Sequence, residues 1–548
     1  MAKYKIMDGV GIIPEGTAII GDKAFYKCTE LKSIVIPDSV WCIGDFAFSY
    51  CTGLTSIVIG NSVTRVGFDA FDGCIGVTNI VIGKSLTDLN VLHYFGHLTS
   101  IRVAEGHQKY DSRNDCGAII ETRTNTLIKG FSKTVIPASV TSIDDGAFNG
   151  CTGLTSIVIP DSVTEIGREA FKDCTSLTSV VIGNSVTEIG LGAFEGCISL
   201  ENIFIPKTIK GIGGAAFCGC QNLNFTIDPD NPVYAVQDNC LFEKSSNTLI
   251  CACNTNKIPD FVSEIQSRAF SGNAAIREVV IPDSINKVGE YVFSNCPNLE
   301  SVTVLTKSAV YPGVFSGCKK LKNVTISNAV EIIADEMFAN CVSLESITIP
   351  YSVTEIGESA FAGCEGLKHI HIPESVKKIG FAAFQNCKSL KTIELPASIS
   401  YINKHLFKGC SGLEQIVIPD SVTSIGTNAF EECVSLTDIV IPSSVIEFEE
   451  FISGSKIFNR CENLKSATIL APLKKIPENT FDSCHSLEVL TLGIGIKKID
   501  EFAFSGCNSL KTIYVPAKKA DYYKKRLPEP LQSLIVELTV EKKASKQK

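Results

Sequence analysis

The chain has 548 residues, a net charge of −9 and 45% apolar residues. No apolar run approaches the roughly 18 residues that a membrane helix needs, and no basic stripe of the kind that nucleic acid selects is present. Met1 to Gly11 lacks a continuous apolar segment, so no signal peptide is expected. The expected location is the cell surface or the exterior if an export signal precedes this numbering, and the cytoplasm otherwise.

One phrase recurs along the chain. Phe-x-x-Cys repeats with a period of 23 residues at Phe25–Cys28, Phe48–Cys51 and Phe71–Cys74, then at Phe148–Cys151, Phe171–Cys174, Phe194–Cys197 and Phe217–Cys220. It resumes at Phe293–Cys296 and Phe315–Cys318 and runs through Phe338, Phe361, Phe384, Phe407 and Phe430. Phe458, Phe481 and Phe504 close the series, each with cysteine three residues on. Tyr94 stands for Phe in one degenerate coil, and Phe270 marks another. A period of this length over most of a chain means a solenoid, whose function lies on a long surface and not in one pocket.

Within one coil, Pro160 and Asp161 turn the chain out of a strand. Val163 and Ile166 point inward on a short extended segment, and Gly167 marks a corner expected to need positive φ. Asp144, Asn403 and Asp500 fill the same slot, consistent with a left-handed backbone. Ala170, Phe171 and Cys174 fall at helical spacing, which predicts one buried helical turn. Leu177, Val180 and Ile182 return the chain as a strand. Seventeen of the 23 cysteines occupy one repeat position, and Asn273 replaces cysteine there once. A slot that accepts Asn depends on neither a disulfide nor a thiolate ligand, so the column reads as buried thiols donating weakly to backbone carbonyls.

Two similar stretches break the period. Tyr110 to Ile128 and Tyr234 to Ile250 each read as strand, polar turn, strand, and each is expected to project as a β-hairpin. A third insertion, Glu447 to Lys456, is expected to expose Phe448 and Phe451. After Val515, Ala517 to Arg526 looks helical, Pro528 and Pro530 end it, and Leu534 to Leu538 reads as a last strand. The expected organisation is an N-terminal cap and first repeats over 1–102, a hairpin insert over 103–130 and repeats over 131–227. A second insert covers 228–257, repeats cover 258–516, and a C-terminal cap with a lysine-rich, disordered tail covers 517–548.

The phrase Ile-Pro-x-Ser-Val-Thr-x-Ile-Gly-x-x-Ala-Phe-x-x-Cys-x-x-Leu-x-x-Ile-x-Ile resembles the BspA-like leucine-rich repeat family over roughly residues 12 to 516. The expected fold is an α/β repeat solenoid, a curved stack of about nineteen coils and about 90 Å, with parallel strands, short helical turns and projecting hairpins. The resemblance implies a binding surface for proteins, often host-derived, at a bacterial surface. It implies no catalytic residues.

On the main strand, the residue between the inward aliphatics faces out. Val158, Val181 and Phe204 should therefore form an exposed apolar stripe, and Tyr514 an aromatic anchor. Val and Thr also suit strands whatever they face. His371 should sit beside Glu394 on the next coil, and with His369 two residues earlier this trio could hold zinc; chance occupancy of surface positions is the competing reading, and no metal or cofactor is expected. Cys251-Ala-Cys253 with Cys240 lacks a zinc spacing, and Asp228-Pro-Asp-Asn231 lacks the glycine and distal glutamate of an EF-hand loop. The sequence reading is a non-enzymatic interaction solenoid that binds a protein or other macromolecule through Val158, Val181, Phe204, His371, Glu394 and Tyr514. An intracellular scaffold of the same fold is the alternative, and the sequence leaves the oligomeric state open.

Overall fold

A computed structural model describes residues 4–95, 98–306, 311–451 and 454–538. The lysine-rich tail lies outside the described residues. The chain divides into two compact units, Met1–Ser245 with Ile250–Asn254, and Ser246–Leu249 with Thr255–Lys548.

In both units the regular coils contribute one strand of two to four residues and a second of two, with the Phe-x-x-Cys segment closing the circuit. In the first unit Ser156–Val158, Ser179–Val181, Asn202–Ile205 and Asn224–Ile227 form one parallel ladder. Like slots pair with like, as Ser156 with Ser179 and Val158 with Val181. The short strands Ser142–Ile143, Glu165–Ile166, Glu188–Ile189 and Gly211–Ile212 form a second parallel ladder. The second unit repeats the scheme, from Glu278–Ile281 and Ser301–Val304 to Val489–Leu492 and Thr512–Val515. Ser156–Val158 alternates exposed, buried, exposed, the period-two pattern that places Ile157 in the core.

The Phe-x-x-Cys segment is not helical. Glu169 and Asp173, two residues either side of Phe171, have φ of 52° and 56°, so the segment is a run of turns. Its hydrogen bonds alternate: the N–H groups of Glu169, Phe171 and Asp173 donate to the next coil, Phe171 to the Ala193 carbonyl at 2.7 Å, while those of Ala170, Lys172 and Cys174 turn back to carbonyls three residues earlier. A helix would satisfy these donors within its own segment and remove this set of bonds between coils, leaving the two strand ladders alone to join them. The left-handed residues therefore flank Phe, and the corner glycine has a different role. Gly167, Asp144, Asn403 and Asp500 are not left-handed. A Cβ on Gly167 would lie 2.6 Å from the Asp144 carbonyl carbon and 2.7 Å from the Asp145 nitrogen, so glycine is required by close approach of the neighbouring coil.

The phenylalanines form stacked columns. In the first unit Phe25, Phe48 and Phe71 are 5.1 Å apart centroid to centroid. Phe71 next meets Phe95, just past a 3-10 helix over Asn90–Tyr94; the side chain of Tyr94 lies outside what the structure describes. Phe148, Phe171, Phe194 and Phe217 form a second stack. In the second unit the column runs unbroken from Phe270 to Phe504.

Both inserts are antiparallel hairpins, but they are built into the stack and do not project from it. Tyr110–Asp111 pairs with Ile119–Glu121, which pairs with Thr126–Lys129; that strand then pairs in parallel with Ser142–Ile143. Ile119, Ile120 and Leu127 are fully buried, and in the second insert so are Cys240 and Leu241. Apolar strands of this kind gain more from joining the core than from facing water. At the third insertion Phe451 is exposed, whereas Phe448 is buried on the strand Glu447–Phe448. The C-terminal end carries a short helix, Ala520–Lys524, and a last strand, Ile535–Glu537, which pairs with Thr512–Val515.

Candidate functional site

The strand pleat turns alternate side chains outward, and register aligns them from coil to coil. Val158 and Val181 are directly paired and are 61% and 53% exposed. Ser179 pairs with Asn202, which carries the same slot on to Phe204, 46% exposed. Thr226 follows Phe204 in register. These three apolar side chains form one outward stripe within the first unit. In the second unit Val280, 53% exposed, pairs with Thr303 in the same slot. Val280 is missing from the sequence reading although its position on Glu278–Ile281 follows the same rule.

His369 and His371 flank buried Ile370 and both face outward. His371 bridges in parallel to Glu394, so the two are neighbours on successive coils. Among the described residues no three His, Cys, Asp or Glu side chains converge as a metal site would require. Tyr514 is half-buried, paired with Val536 of the last strand, and so sits one strand from the end of its ladder.

The cysteine column forms no disulfide. Each thiol after the first of a series donates to the phenylalanine carbonyl of the preceding coil, as Cys174 to Phe148 at 3.2 Å and Cys387 to Phe361 at 3.3 Å. Burial pushes the Cys197 and Cys364 thiols up to about 12. Cys28, Cys151 and Asn273 each open a series. Cys28 and Cys151 are half-exposed, whereas Asn273 is buried and donates to the Thr255 carbonyl at 2.9 Å. Cys253 takes the column's role opposite the Phe217 carbonyl at 3.8 Å, and its sulfur lies 3.5 Å from that of Cys251.

The inserts are anchored by two buried polar residues that the sequence reading did not weigh as partners. His107 Nε2 meets the Leu86 carbonyl while its Nδ1 accepts from the N–H groups of Lys109 and Tyr110. Asn231 repeats this, donating to the Pro206 and Ile209 carbonyls and accepting from Val233 and Tyr234. Asp228-Pro-Asp-Asn231 is thus a turn held by its asparagine. The signal available was the shared spacing of His107 to Tyr110 and Asn231 to Tyr234.

A second exposed aromatic group lies on the turn side of the first coils. Tyr26 and Tyr50 meet edge to face at 6.0 Å, as do Phe46 and Phe68 at 5.8 Å. Phe46 and Tyr50 occupy left-handed backbone, where other coils use Gly146, Gly150, Gly192 or Gly196.

The profile of the BspA type leucine rich repeat region matches residues 12–114, 126–249, 248–367, 331–453 and 451–527. Among solved structures, a leucine rich cell surface protein from Faecalibacterium prausnitzii is 30% identical over 69% of this chain and 82% of its own, with a TM-score of 0.37. A leucine-rich repeat protein from Bacteroides ovatus is 25% identical over 80% of this chain and 93% of its own, with a TM-score of 0.31. Another from Eubacterium ventriosum is 19% identical over 93% and 94%, with a TM-score of 0.25. Among curated proteins none matches. With repeat matches spanning nearly its whole length, the chain belongs to the BspA-type leucine-rich repeat family.

Proposed function

We propose that this protein is a non-enzymatic interaction solenoid that binds a macromolecular partner, a protein, in adhesion or host contact at a bacterial surface. The observation that carries the reading is the outward stripe of Val158, Val181 and Phe204, apolar side chains in register on successive coils. Contiguous apolar surface of this kind marks interaction sites, and aromatic residues are favoured as their anchors. The name of the F. prausnitzii relative, a cell surface protein, supports the location.

The binding test compares Phe204→Ser with Glu165→Ser, the latter on the short-strand ladder. With a partner isolated by pull-down on the intact protein, Phe204→Ser should weaken binding about tenfold to a hundredfold, the worth of burying one aromatic side chain. Glu165→Ser should bind like the parent. Parental affinity in both variants would move recognition away from this stripe.

The buried thiol column favours a second reading, an intracellular scaffold of the same fold, because reduced cysteines persist in the cytosol. Protease treatment of intact cells, with a cytosolic marker alongside, separates the two. Loss of the protein with the marker intact supports the surface location, and survival of both supports the scaffold.

A further inference from the structure

The core of the first unit falls into two clusters. One ends around Phe95, Leu98 and Phe131, and the other contains Phe148 and the coils after it. The insert separates them, since it occupies the place of a regular coil and supplies no phenylalanine to the stacked column. The result is a cavity of about 610 Å³ on the turn side, walled by Leu92, Phe95, Leu98, Ile128 and Phe131 on one side and reaching Cys151 on the other.

Lys129, the last residue of the strand Thr126–Lys129, also lines this cavity. It is half-buried, and among the described residues its hydrogen-bond partner is the Gly146 carbonyl at 3.5 Å, a long contact. No carboxylate among the described residues pairs with it. Lys172, Lys408 and Lys475 are also half-buried, and each meets a carboxylate: Glu195, Glu431 and Glu450. Burial holds the Lys129 ammonium below the ordinary lysine range, against a smaller opposing pull from the Cys151 and Cys174 thiols. A half-buried cation beside the apolar wall of this cavity, with no carboxylate paired to it among the described residues, is complementary to a ligand that brings one negative charge and a hydrocarbon body. A single cation beside one aliphatic and aromatic wall, with Thr99, Ser132, Asn149 and Thr152 as neutral polar neighbours, fits a monoanion better than a phosphate.

We propose that this cavity binds a small amphiphilic carboxylate, its acid group on Lys129 Nζ and its alkyl chain along Leu92, Phe95, Leu98 and Phe131. The site is independent of the strand face carrying Val158, Val181 and Phe204, so either reading can fail without the other.

The test titrates the full-length protein calorimetrically with decanoate, and with decanol and decyltrimethylammonium as neutral and cationic counterparts of equal chain length. Decanoate should bind saturably with one molecule per chain, and decanol and the cation should bind at least about tenfold more weakly. Lys129→Met, which keeps the side-chain length, should weaken decanoate about tenfold to a hundredfold, the worth of a charge-assisted hydrogen bond. It should leave decanol unchanged. On the unmutated protein, decanoate should protect Lys129 from acetylation by acetic anhydride, read by mass spectrometry, which decides the matter even if Lys129→Met fails to fold. Absence of saturable binding, equal affinity for decanol, or acetylation of Lys129 undiminished by decanoate overturns the proposal.

Discussion

The thiol of Cys364 donates to the backbone carbonyl of Phe338 across 3.1 Å, tying one coil to the coil before it. The same carbonyl accepts the N–H of Cys341 within its own coil, so two cysteines from successive coils share one oxygen. This relationship recurs through both units and explains why cysteine holds the slot. Its sulfur is small enough for a fully buried corner and polar enough to use the second lone pair of a buried carbonyl.

Replacing Cys364 by Ala should destabilise the protein by about 1–2 kcal/mol, for the lost weak hydrogen bond and a small cavity. The first of those costs is limited because the carbonyl keeps its backbone donor. Denaturant melts measure this. Thiol titration should find the column cysteines unreactive in the native protein and reactive after denaturation without reductant. Predominant oxidation before denaturation contradicts the thiol column.

Stability should fall in alkali. The Cys364 and Cys197 thiols rise from 9.0 to about 12 on burial. Between those values the unfolded chain has lost protons that the folded chain retains, so the folded state binds more protons and stability declines as pH rises. The contribution is full below about pH 9 and is lost as pH passes through about 12. Melts across this range should show a shallower decline for the Cys197→Ala, Cys364→Ala double variant than for the parent. Equal slopes would mean that these thiols do not carry the effect.

Phe361 stacks on Phe338 and Phe384, at 5.5 Å from each, and is fully buried. Phe361→Ala should cost about 3–5 kcal/mol, and because neighbouring coils share the interface the damage should concentrate there. Limited proteolysis should cut first near this coil. A variant that resists protease and denaturant like the parent would place Phe361 outside the core.

Two exchanges of a single methyl in one coil should differ in outcome. A Cβ on Gly213 would lie 2.7 Å from the Gly190 carbonyl carbon and from the Leu191 Cα, so Gly213→Ala should destabilise by about 1–3 kcal/mol. Ala215, two residues on, has φ of 57°. Ala215→Gly removes left-handed strain and adds unfolded-state freedom, terms of about 1 kcal/mol each that nearly cancel. Paired melts of the two variants check the contrast. Similar losses in both would show that the corner is roomier than the contacts indicate.

The repeat, the buried phenylalanine and cysteine columns and the parallel strands were legible in the sequence, because each repeats a local choice many times and a repeated choice has a repeated cause. Asn273 in the cysteine slot was enough to set disulfides aside. The outward direction of Val158, Val181 and Phe204 followed from the period-two pleat. Other features depended on contacts that a single coil does not contain. Phe and Cys at helical spacing do not make a helix here, because the N–H groups of Phe and of the residues two either side of it find acceptors in the adjacent coil. The slot of Gly167 looked like a left-handed corner, yet only the neighbouring coil at Asp144 and Asp145 shows that space, and not φ, is what it lacks. The inserts read as projecting hairpins until burial of Ile119, Ile120 and Leu241 placed them in the core. Lys129 was one lysine of many in the sequence. The stack alone left it half-buried beside an interrupted column, since a missing phenylalanine leaves a void only where its neighbours are held in place.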